Sequence, residues 1–287
     1  MCQAVPVSRA AFYRHWQASE PDQVEMELPD ALQRTALGHR SYGYRRLQPL
    51  LEKQGWKVGE TKLRRLLKQD NLLAVRRRKF VRSTDSNHPF RVYPNLVQYL
   101  ELNQINQLRV ADMTYIRLRK EFVYLAVVID AYSRRAIGWA VGRRHNTALG
   151  LSALDQAIAV RQPQPGLVHH SDGGRAYAGY AYVQRLEQIQ AVLSMSRPGR
   201  PWENGICESF IKTLKREEID ARPYADLAEL EANITQFLEQ VYNPKRLHSA
   251  LGYQSPEEFE QQQARRDAAG SWLPAALNLP RHEEVTF

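Results

Sequence analysis

Three acidic side chains in the sequence are candidates for binding metal ions. Asp112 lies in the middle of a β-rich run, where an ionised carboxylate without a partner is costly to bury. Asp172 follows the run "GLVHH" and precedes two glycines, and Glu208 comes after a further 35 residues. Carboxylate oxygens suit Mg²⁺ and Mn²⁺, and two such ions about 4 Å apart activate an oxygen nucleophile and stabilise a leaving 3′ oxygen. We therefore predict a two-ion site for phosphodiester chemistry.

Each of these acids also has an ordinary structural interpretation. Asp112 could be one half of a buried ion pair, Asp172 could form a turn before its glycines, and Glu208 could be an exposed helix residue. The three together favour the metal site, because they fall in a strand, at a strand end and on a helix that one sheet could bring together.

The helix predicted around Glu208 presents two adjoining stripes of side chains. Its apolar stripe contains Cys207, Phe210, Ile211 and Leu214, and its polar stripe contains Glu208, Lys212 and Lys215. Because the acid and the two cations point the same way, we expect Lys212 and Lys215 to bind the phosphates of a nucleic acid held at the metal site.

The elements that must position these residues follow one another in the order βββαβαβα. Strands are predicted at 108–119, 121–133, 134–142, near 166–170 and at 191–196, and helices at 147–160, about 177–188 and about 202–217. Asn146 or Thr147 would cap the first of these helices. This order predicts an α/β fold of the RNase H-like type, a mixed five-stranded sheet flanked by helices.

A basic segment precedes this sheet. Residues 34–82 hold 15 Lys or Arg and only three acids, a density typical of a surface that binds nucleic acid, although a solvated charged face is the alternative. Leucines mark two helices on either side of Gly55, as in a helix-turn-helix. The second helix would expose Arg64, Arg65 and Lys68 to DNA, and a further basic run follows as Arg76, Arg77, Arg78 and Lys79.

The domain limits follow from these changes of pattern. We predict a helical, helix-turn-helix-like DNA-binding region at 1–75, a basic and polar linker at 76–107 and a catalytic core at 108–222. A helical extension at 223–265 and a tail at 266–287 complete the chain. Short helices are expected at 8–16, where Ser8 could be the N-cap, and at 30–37, after a break at 21–29.

Cysteine usage and hydropathy bear on the compartment. Cys2 and Cys207 cannot form a disulfide framework or a zinc cluster, which fits a reducing cytoplasm. The first residues do not resemble a signal peptide, and the longest apolar run, 122–129, is too short to cross a bilayer. We therefore expect no membrane partner.

Four ordered motifs resemble the integrase-like transposases of bacterial insertion sequences, in particular the second-reading-frame product of the IS-three family. They are "ADMTYI", "HHSDGGRAY", "NGICESFIKTLKRE" and "YNPKRLHSALGYQSPEEF", and the similarity runs from about residue 2 to residue 259. The resemblance implies a DNA transposase in which Asp112, Asp172 and Glu208 bind Mg²⁺. Its partners would be double-stranded DNA, as element ends and target, and further copies of the chain.

Some residues depart from the family pattern. Arg109 stands where such proteins usually have Trp, and Glu203 and Asn204 replace an Asp-Asn pair. The family is typically made as a fusion with an upstream reading frame that carries a leucine zipper, and this sequence has no such heptad segment. An upstream-frame partner or fusion is therefore expected.

Other polar residues near these motifs have two interpretations each. His169 and His170 precede Asp172, and His170 could position DNA or carry a proton, or a histidine there could pack at the strand end. In the last motif Arg246 and His248 could contact DNA, or they could tie the final helices to the core.

Three functions are compatible with these patterns. The first is DNA cleavage and strand transfer, with water and then a 3′ hydroxyl as nucleophiles and no covalent protein–DNA intermediate. The second is a transposase-derived DNA-binding regulator, which the intact set of acids disfavours. The third is an RNase H-type nuclease on RNA:DNA hybrids, which the basic helix-turn-helix disfavours.

Overall fold

The computed structural model describes residues 23–72 and 89–268, which belong to two separate compact units. The helix predicted at 8–16 and the basic residues Arg76, Arg77 and Arg78 lie outside the described residues. In the described part of the chain, no helix is long and apolar enough to cross a membrane.

The described residues of the first unit, 23–72, form a bundle of three helices, α1 (Gln23–Gly38), α2 (Tyr44–Lys53) and α3 (Glu60–Gln69). Leucines at helical spacing from all three helices are fully buried together, among them Leu32, Leu47, Leu51 and Leu63. Gly55 has a φ of 92°, which a side chain would strain, so the chain turns there between α2 and α3. The predicted helix-turn-helix is confirmed.

The break predicted at 21–29 is wrong, because Pro29 lies inside α1. A proline in a helix removes one backbone hydrogen bond. Leu28, Leu32 and Ala36 nevertheless form one buried stripe along α1. Their packing against the other two helices outweighs the loss.

The second unit is built on the predicted mixed sheet. Its strands are β1 (Leu108–Arg117), β2 (Phe122–Asp130), β3 (Ala136–Gly142), β4 (Val168–Asp172) and β5 (Val192–Ser196). Their spatial order is β3-β2-β1-β4-β5. The first three strands form an antiparallel meander, and β4 and β5 run parallel to β1. The carboxyl ends of β1, β4 and β5 therefore lie at the same edge.

Helices cover both faces of this sheet. They are α4 (Thr147–Val160), α5 (Arg175–Ala178), α6 (Tyr180–Gln188), α7 (Gly205–Glu217), α8 (Leu227–Phe237), α9 (Asn243–Lys245) and α10 (Pro256–Ala268). Side chains of α4 and α6 pack on one face, and those of α7 and α8 pack on the other. Asn146 caps α4 by accepting the N–H of Leu149 at 3.1 Å, as predicted.

Two predicted helices differ in detail. The helix predicted at about 177–188 is interrupted at Gly179, where a β-carbon would lie 2.6 Å from the hydroxyl oxygen of Thr147. The helix predicted from about 202 begins at Gly205, after a 3₁₀ turn over Pro201–Asn204. Both changes are local and leave the layers in place.

The stretch predicted as a linker up to residue 107 packs on the second unit where it is described. The N–H of Leu96 donates to the hydroxyl of Ser194 at 2.9 Å, and the carbonyl of Pro94 accepts the N–H of Met195 at 3.4 Å. Val97, Leu100 and Leu102 pack against the core. Residues 94–102 therefore pack beside β5 and do not form a linker that is separate from the second unit.

Side-chain amide groups form hydrogen bonds with backbone groups of β3, the strand at the other edge of the sheet from β5. Helix α8 runs into a π-helical turn over Leu238–Tyr242, and Asn243 follows it. The Asn243 amide accepts the N–H of Ala136 and donates to its carbonyl, each at 3.0 Å. Gln156 accepts the N–H of Trp139 at 2.7 Å. These contacts satisfy backbone groups of Ala136 and Trp139 that would otherwise be free to pair with a further strand.

We predict that Gly138→Ala destabilises the second unit. A β-carbon at Gly138 would lie 2.1 Å from the carbonyl oxygen of Ala153 and 2.9 Å from the β-carbon of Ala157, so α4 and β3 would have to separate. Overpacking of this kind costs about 1–3 kcal/mol. Chemical denaturation of the full chain measures it, with Gly205→Ala as the control because nothing lies within 4 Å of that position. Equal stability of the two variants would contradict the close approach.

Candidate active site

The register of two parallel strands brings Asp112 and Asp172 together. Val110 of β1 is the partner of His170 of β4, and the ladder between the two strands ends there. Continuing both strands by two residues gives Asp112 and Asp172, so the two acids occupy equivalent positions on neighbouring strands. They lie at the carboxyl edge of the sheet, where α/β sheets bind ligands.

Asn204 fills the place where the ladder between β1 and β4 stops. Its side-chain N–H donates to the carbonyl of Ala111 at 2.9 Å, next to Asp112. The residue is buried, and its own carbonyl oxygen accepts no hydrogen bond among the described residues. Asn204 thus links the chain leading into α7 to the strand that carries the first acid.

The electrostatic environment of Asp112 is unfavourable for a lone carboxylate. Burial and, to a smaller extent, the negative charges of Asp172 and Glu208 raise the pKa of Asp112 to about 8, against a backbone hydrogen bond from Met113. That bond is the Met113 N–H donating to the carboxylate at 2.8 Å. The site therefore gathers negative charge that nearby protein cations do not neutralise fully.

Asp172 is held in the turn that follows β4. Its carboxylate accepts the N–H of Gly174 at 3.1 Å, and the side chain is half-buried. The contact fixes the acid at the strand end. It also agrees with the interpretation of Asp172 as a turn-former.

Glu208 lies in the first turn of α7 and contacts a cation. Its carboxylate is 2.7 Å from the ammonium group of Lys212, and its side chain is 44% exposed. Among the residues that the structure describes, no three His, Cys, Asp or Glu side chains converge tightly enough to hold one metal ion. Glu208 is thus within electrostatic range of Asp112 but turned towards Lys212.

The helix that carries Glu208 is firmly seated. Its predicted apolar stripe, Cys207, Phe210, Ile211 and Leu214, is buried against the sheet. Lys215 is half-buried, with its ammonium group 4.7 Å from the centre of the Tyr115 ring. Burial lowers the pKa of Lys215, and the charges of Asp220 and Asp112 act in the opposite direction. Lys212 remains exposed.

The DNA contact predicted for His170 is wrong, because the side chain is fully buried. Its Nδ1 lies 2.8 Å from the hydroxyl oxygen of Ser194. Burial lowers the pKa of His170 to about 4 and that of His169 to about 3, so both rings are neutral near pH 7. They belong to the packing between β4, β5 and α6.

The DNA contact predicted for Arg246 is also wrong, because only 2% of its side chain is exposed. Arg246 forms an ion pair with Glu217, at the end of α7, with a nitrogen–oxygen distance of 3.0 Å. His248 is half-buried, 3.3 Å from Arg246 and edge-on to Tyr242. The last motif therefore ties the final helices to α7, as the alternative interpretation proposed.

The cations predicted on the helix-turn-helix lie on α3. Arg64, Arg65 and Lys68 are all exposed. Arg64 forms an ion pair with Glu60 at 3.3 Å and lies over the ring of Tyr44. Their contact with DNA stays a prediction.

Arg109, which departs from the family pattern, lies in the core between β1 and α4. It is fully buried, and its guanidinium donates to the carbonyl oxygens of Arg161 at 2.8 Å and Ala157 at 3.5 Å. Burial lowers the pKa of Arg109 to about 10, although the charge of Asp130 acts against this. Arg109 ties α4 to β1 and leaves the acids unobstructed.

Tyr177 is a residue beside the acids that the sequence pattern did not single out. It is buried, and its hydroxyl has no hydrogen-bond partner in the described part of the chain. Burial, Tyr182 and the charges of Asp112 and Asp172 together raise the pKa of Tyr177 well above its ordinary value. Its place in the motif "HHSDGGRAY" was the only signal in the sequence.

Comparisons with known proteins agree with this architecture. Models described as "Integrase core domain" match residues 103–201 and 190–256, and one described as "HTH-like domain" matches residues 23–80. The chain is 37% identical to the insertion element IS600 uncharacterized 31 kDa protein of Shigella sonnei, over 91% of this chain and 97% of that protein. It is 31% identical to transposase InsF for insertion sequence IS3A of Escherichia coli (strain K12), over 91% and 92% of the two chains.

The chain is also similar to a solved structure. The catalytic core domain of the HTLV-2 integrase in complex with magnesium is 18% identical and covers 54% of this chain and 95% of its own. The TM-score is 0.43, which is too low for that likeness to bear on the site.

We predict that Arg246→Met lowers the free energy of unfolding by about 3–5 kcal/mol, because it leaves the buried carboxylate of Glu217 without its partner. Burial would raise the pKa of Glu217, but the charge and hydrogen bonds of Arg246 outweigh it and lower that pKa. Adding Glu217→Gln to the variant should restore most of the loss. Chemical denaturation of the single and double variants measures the coupling energy between Arg246 and Glu217. If the two substitutions lowered the free energy of unfolding additively, this coupling would be contradicted.

Proposed function

The chain belongs to the insertion-sequence transposases that carry an integrase core domain, and on that premise we propose that Asp112, Asp172 and Glu208 bind two Mg²⁺ or Mn²⁺ ions for DNA cleavage and strand transfer. A polynucleotidyl transferase activity follows from the family. The metal dependence and the roles of the three acids are the proposal.

The observation that carries the proposal is the pairing of the two aspartates. They stand at equivalent positions on neighbouring parallel strands, and each raises the cost of ionising the other. A divalent cation between such carboxylates would remove their repulsion, and the carboxylates would supply the oxygen ligands that Mg²⁺ prefers. The donor set therefore fits the ions.

Glu208 fits the site after a change of side-chain rotamer. Its helix is fixed by the buried stripe and by the Arg246–Glu217 ion pair, and its charge already reaches Asp112. The exposed ion pair with Lys212 is weak, as such pairs usually contribute less than about 1 kcal/mol. Turning from Lys212 to a metal ion is thus a small step for Glu208.

The residues of the chain have distinct tasks in this mechanism. Asp112 and Asp172 would hold both ions at the strand ends, and Glu208 would complete one coordination sphere. Lys212 and Lys215 would bind phosphates of the strand being cut. When bound, the two ions supply activation of the attacking oxygen and stabilisation of the leaving 3′ oxygen.

Water and then a 3′ hydroxyl would act as successive nucleophiles at this one site. The phenol of Tyr177 is buried without access to a phosphate, and its raised pKa makes it a poor nucleophile. We therefore propose direct transfer without a covalent protein–DNA intermediate.

DNA binding would be shared between the two units. The exposed cations Arg64, Arg65 and Lys68 of α3 would contact the element ends, where a recognition helix meets phosphates and base edges. We propose that several copies assemble on DNA, with or without an upstream-frame partner, in the bacterial cytoplasm.

We expect Asp172→Asn to lower the rate of DNA nicking by roughly 100- to 1,000-fold, the usual loss when one charge-stabilising group is removed. Nicks are mapped on DNA spanning an end of the genomic element, with purified full-length chain and Mg²⁺ or Mn²⁺. Asp155→Asn is the matched control, because Asp155 is an exposed acid paired with Arg185 on another helix. Equal losses in the two variants would refute the proposed site, and DNA binding without any nicking by the parent chain would favour a regulator.

We predict opposite effects of Asp112→Asn on stability without and with metal. In EDTA at pH 7.5 the free energy of unfolding of the variant should be higher than that of the parent by about 1–3 kcal/mol, because folding no longer has to protonate the Asp112 carboxyl or hold it charged next to Asp172 and Glu208. Added Mg²⁺ should stabilise the parent chain by mass action but not the variant. Chemical denaturation measures both, and the same response to Mg²⁺ in parent and variant would count against Asp112 as a ligand.

A further inference from the structure

Two loops at the carboxyl end of β1 carry a group of exposed cations that has no role in the mechanism above. The hairpin between β1 and β2 exposes Arg117, Arg119 and Lys120, and the loop after β3 exposes Arg143 and Arg144. We refer to these five residues as the hairpin-tip patch.

Contacts between the two loops make the patch one surface. The guanidinium of Arg143 donates to the carboxylate of Glu121 at 2.9 Å, which joins the loop after β3 to the hairpin. The rings of Tyr124 and His145 meet edge-on with their centres 5.4 Å apart. The five cations therefore hold a defined arrangement rather than moving on independent loops.

A series of side-chain contacts also connects the hairpin-tip patch with the candidate site. Lys215, whose charge interacts with Asp112, lies over Tyr115. The Tyr115 ring meets that of Phe122 at 6.0 Å, and Arg117 lies 5.7 Å from the centre of the Phe122 ring. Phe122 is 53% exposed. A strip of cations and aromatic rings thus runs from the candidate site to the tip of the hairpin.

The charge of the patch differs from that of its surroundings. Outside residues 34–82, acids outnumber Lys and Arg by three, yet here five cations surround the single glutamate Glu121. The next acid whose charge reaches Arg143 is Asp226, at the start of α8. Arg119, Lys120 and Arg144 have no ion pair among the residues that the structure describes. Like charges held this close repel one another, and a polyanion would relieve the repulsion.

We propose that the hairpin-tip patch binds the phosphate backbone of duplex DNA about five base pairs from the phosphate cut at Asp112. Arg117 lies five residues after Asp112 along β1, a distance of about 16–17 Å in a strand. Duplex DNA rises about 3.4 Å for each base pair. The inference rests on the proposed function for the position of the cut, but not for the binding itself.

The salt dependence of DNA affinity tests the patch. Each phosphate contact adds about 0.9 to the slope of log affinity against log salt, so the double variant R119Q/R144Q should lower that slope by about 1.8. Affinity at 0.1 M salt should fall by roughly 50-fold by the same relation. The probe is a 40-base-pair duplex of arbitrary sequence, titrated with the full-length chain at several salt concentrations.

Two controls separate this effect from a general loss of charge or of folding. The variant R265Q/R266Q removes the same charge from α10, which Glu260 ties to Arg135 at the opposite end of the sheet, and should keep the slope of the parent chain. The variant R119K/R144K keeps the charge and should also keep the slope, because counterion release depends on charge. An unchanged slope in R119Q/R144Q, or an equal decrease in R265Q/R266Q, overturns the proposal.

A second measurement tests the position of the contact. Phosphates of a cleavable element-end duplex are ethylated, and bound molecules are separated from free ones. Interference about five base pairs from the mapped nick should weaken in R119Q/R144Q and persist in R265Q/R266Q. If the parent chain cuts nothing while the slope still changes in R119Q/R144Q alone, the proposed function fails and the patch stands. If the parent chain cuts normally and the slope does not change in R119Q/R144Q, the proposed function stands and the proposal for the patch fails.

Discussion

Repulsion between two carboxylates, held where the ladder between the parallel strands β1 and β4 ends, is the constraint on which the candidate site depends. Asp112 and Asp172 are held together by strand register, although their charges oppose it. Only a rigid arrangement of strands can hold these two carboxylates together against their repulsion. The buried faces of β1 and β4 and the Asn204 bridge to Ala111 supply that arrangement. The free energy of core packing thus maintains an arrangement that is unfavourable in itself.

Helix α7 is held by a different principle from the strands. Its first turn carries Glu208 near the acids, and its last turn carries Glu217, whose ion pair with Arg246 is almost completely buried. The aromatic contact between Phe210 and Tyr242, with ring centres 4.9 Å apart, adds a second attachment. The final motif of the chain therefore anchors the helix that carries Glu208. Buried pairs of this kind are costly to break singly, which makes them effective braces.

The sequence was sufficient for the order of the strands and for the positions of the three acids, because alternation and helical spacing report directly on which face is buried. The sequence was not sufficient to predict that the side chains of His170 and Arg246 are buried. Both are polar residues inside recognisable motifs, and only the packing around them decides whether a polar side chain is exposed or enclosed. The start of α1 was missed for a similar reason, since the packing of Leu28 and Leu32 outweighs the local effect of Pro29.

The hairpin-tip patch illustrates another limit of the sequence. Its cations belong to two short basic segments more than twenty residues apart, and the sequence does not show that these segments meet. Their proximity follows from the antiparallel pairing of β2 with β3, which sets Tyr124 opposite Gly142. Charge clusters of this kind become visible only when the sheet is formed.

Both lateral edges of the sheet are occupied by the chain itself. Asn243 and Gln156 take the hydrogen-bonding groups of β3, and the segment around Pro94 and Leu96 lies along β5. These contacts occupy backbone groups of Ala136 and Trp139 at one edge and of Met195 at the other, where a strand of another protomer would otherwise pair. In the proposed assembly of several copies on DNA, helices and loops are therefore the surfaces left for contacts between them.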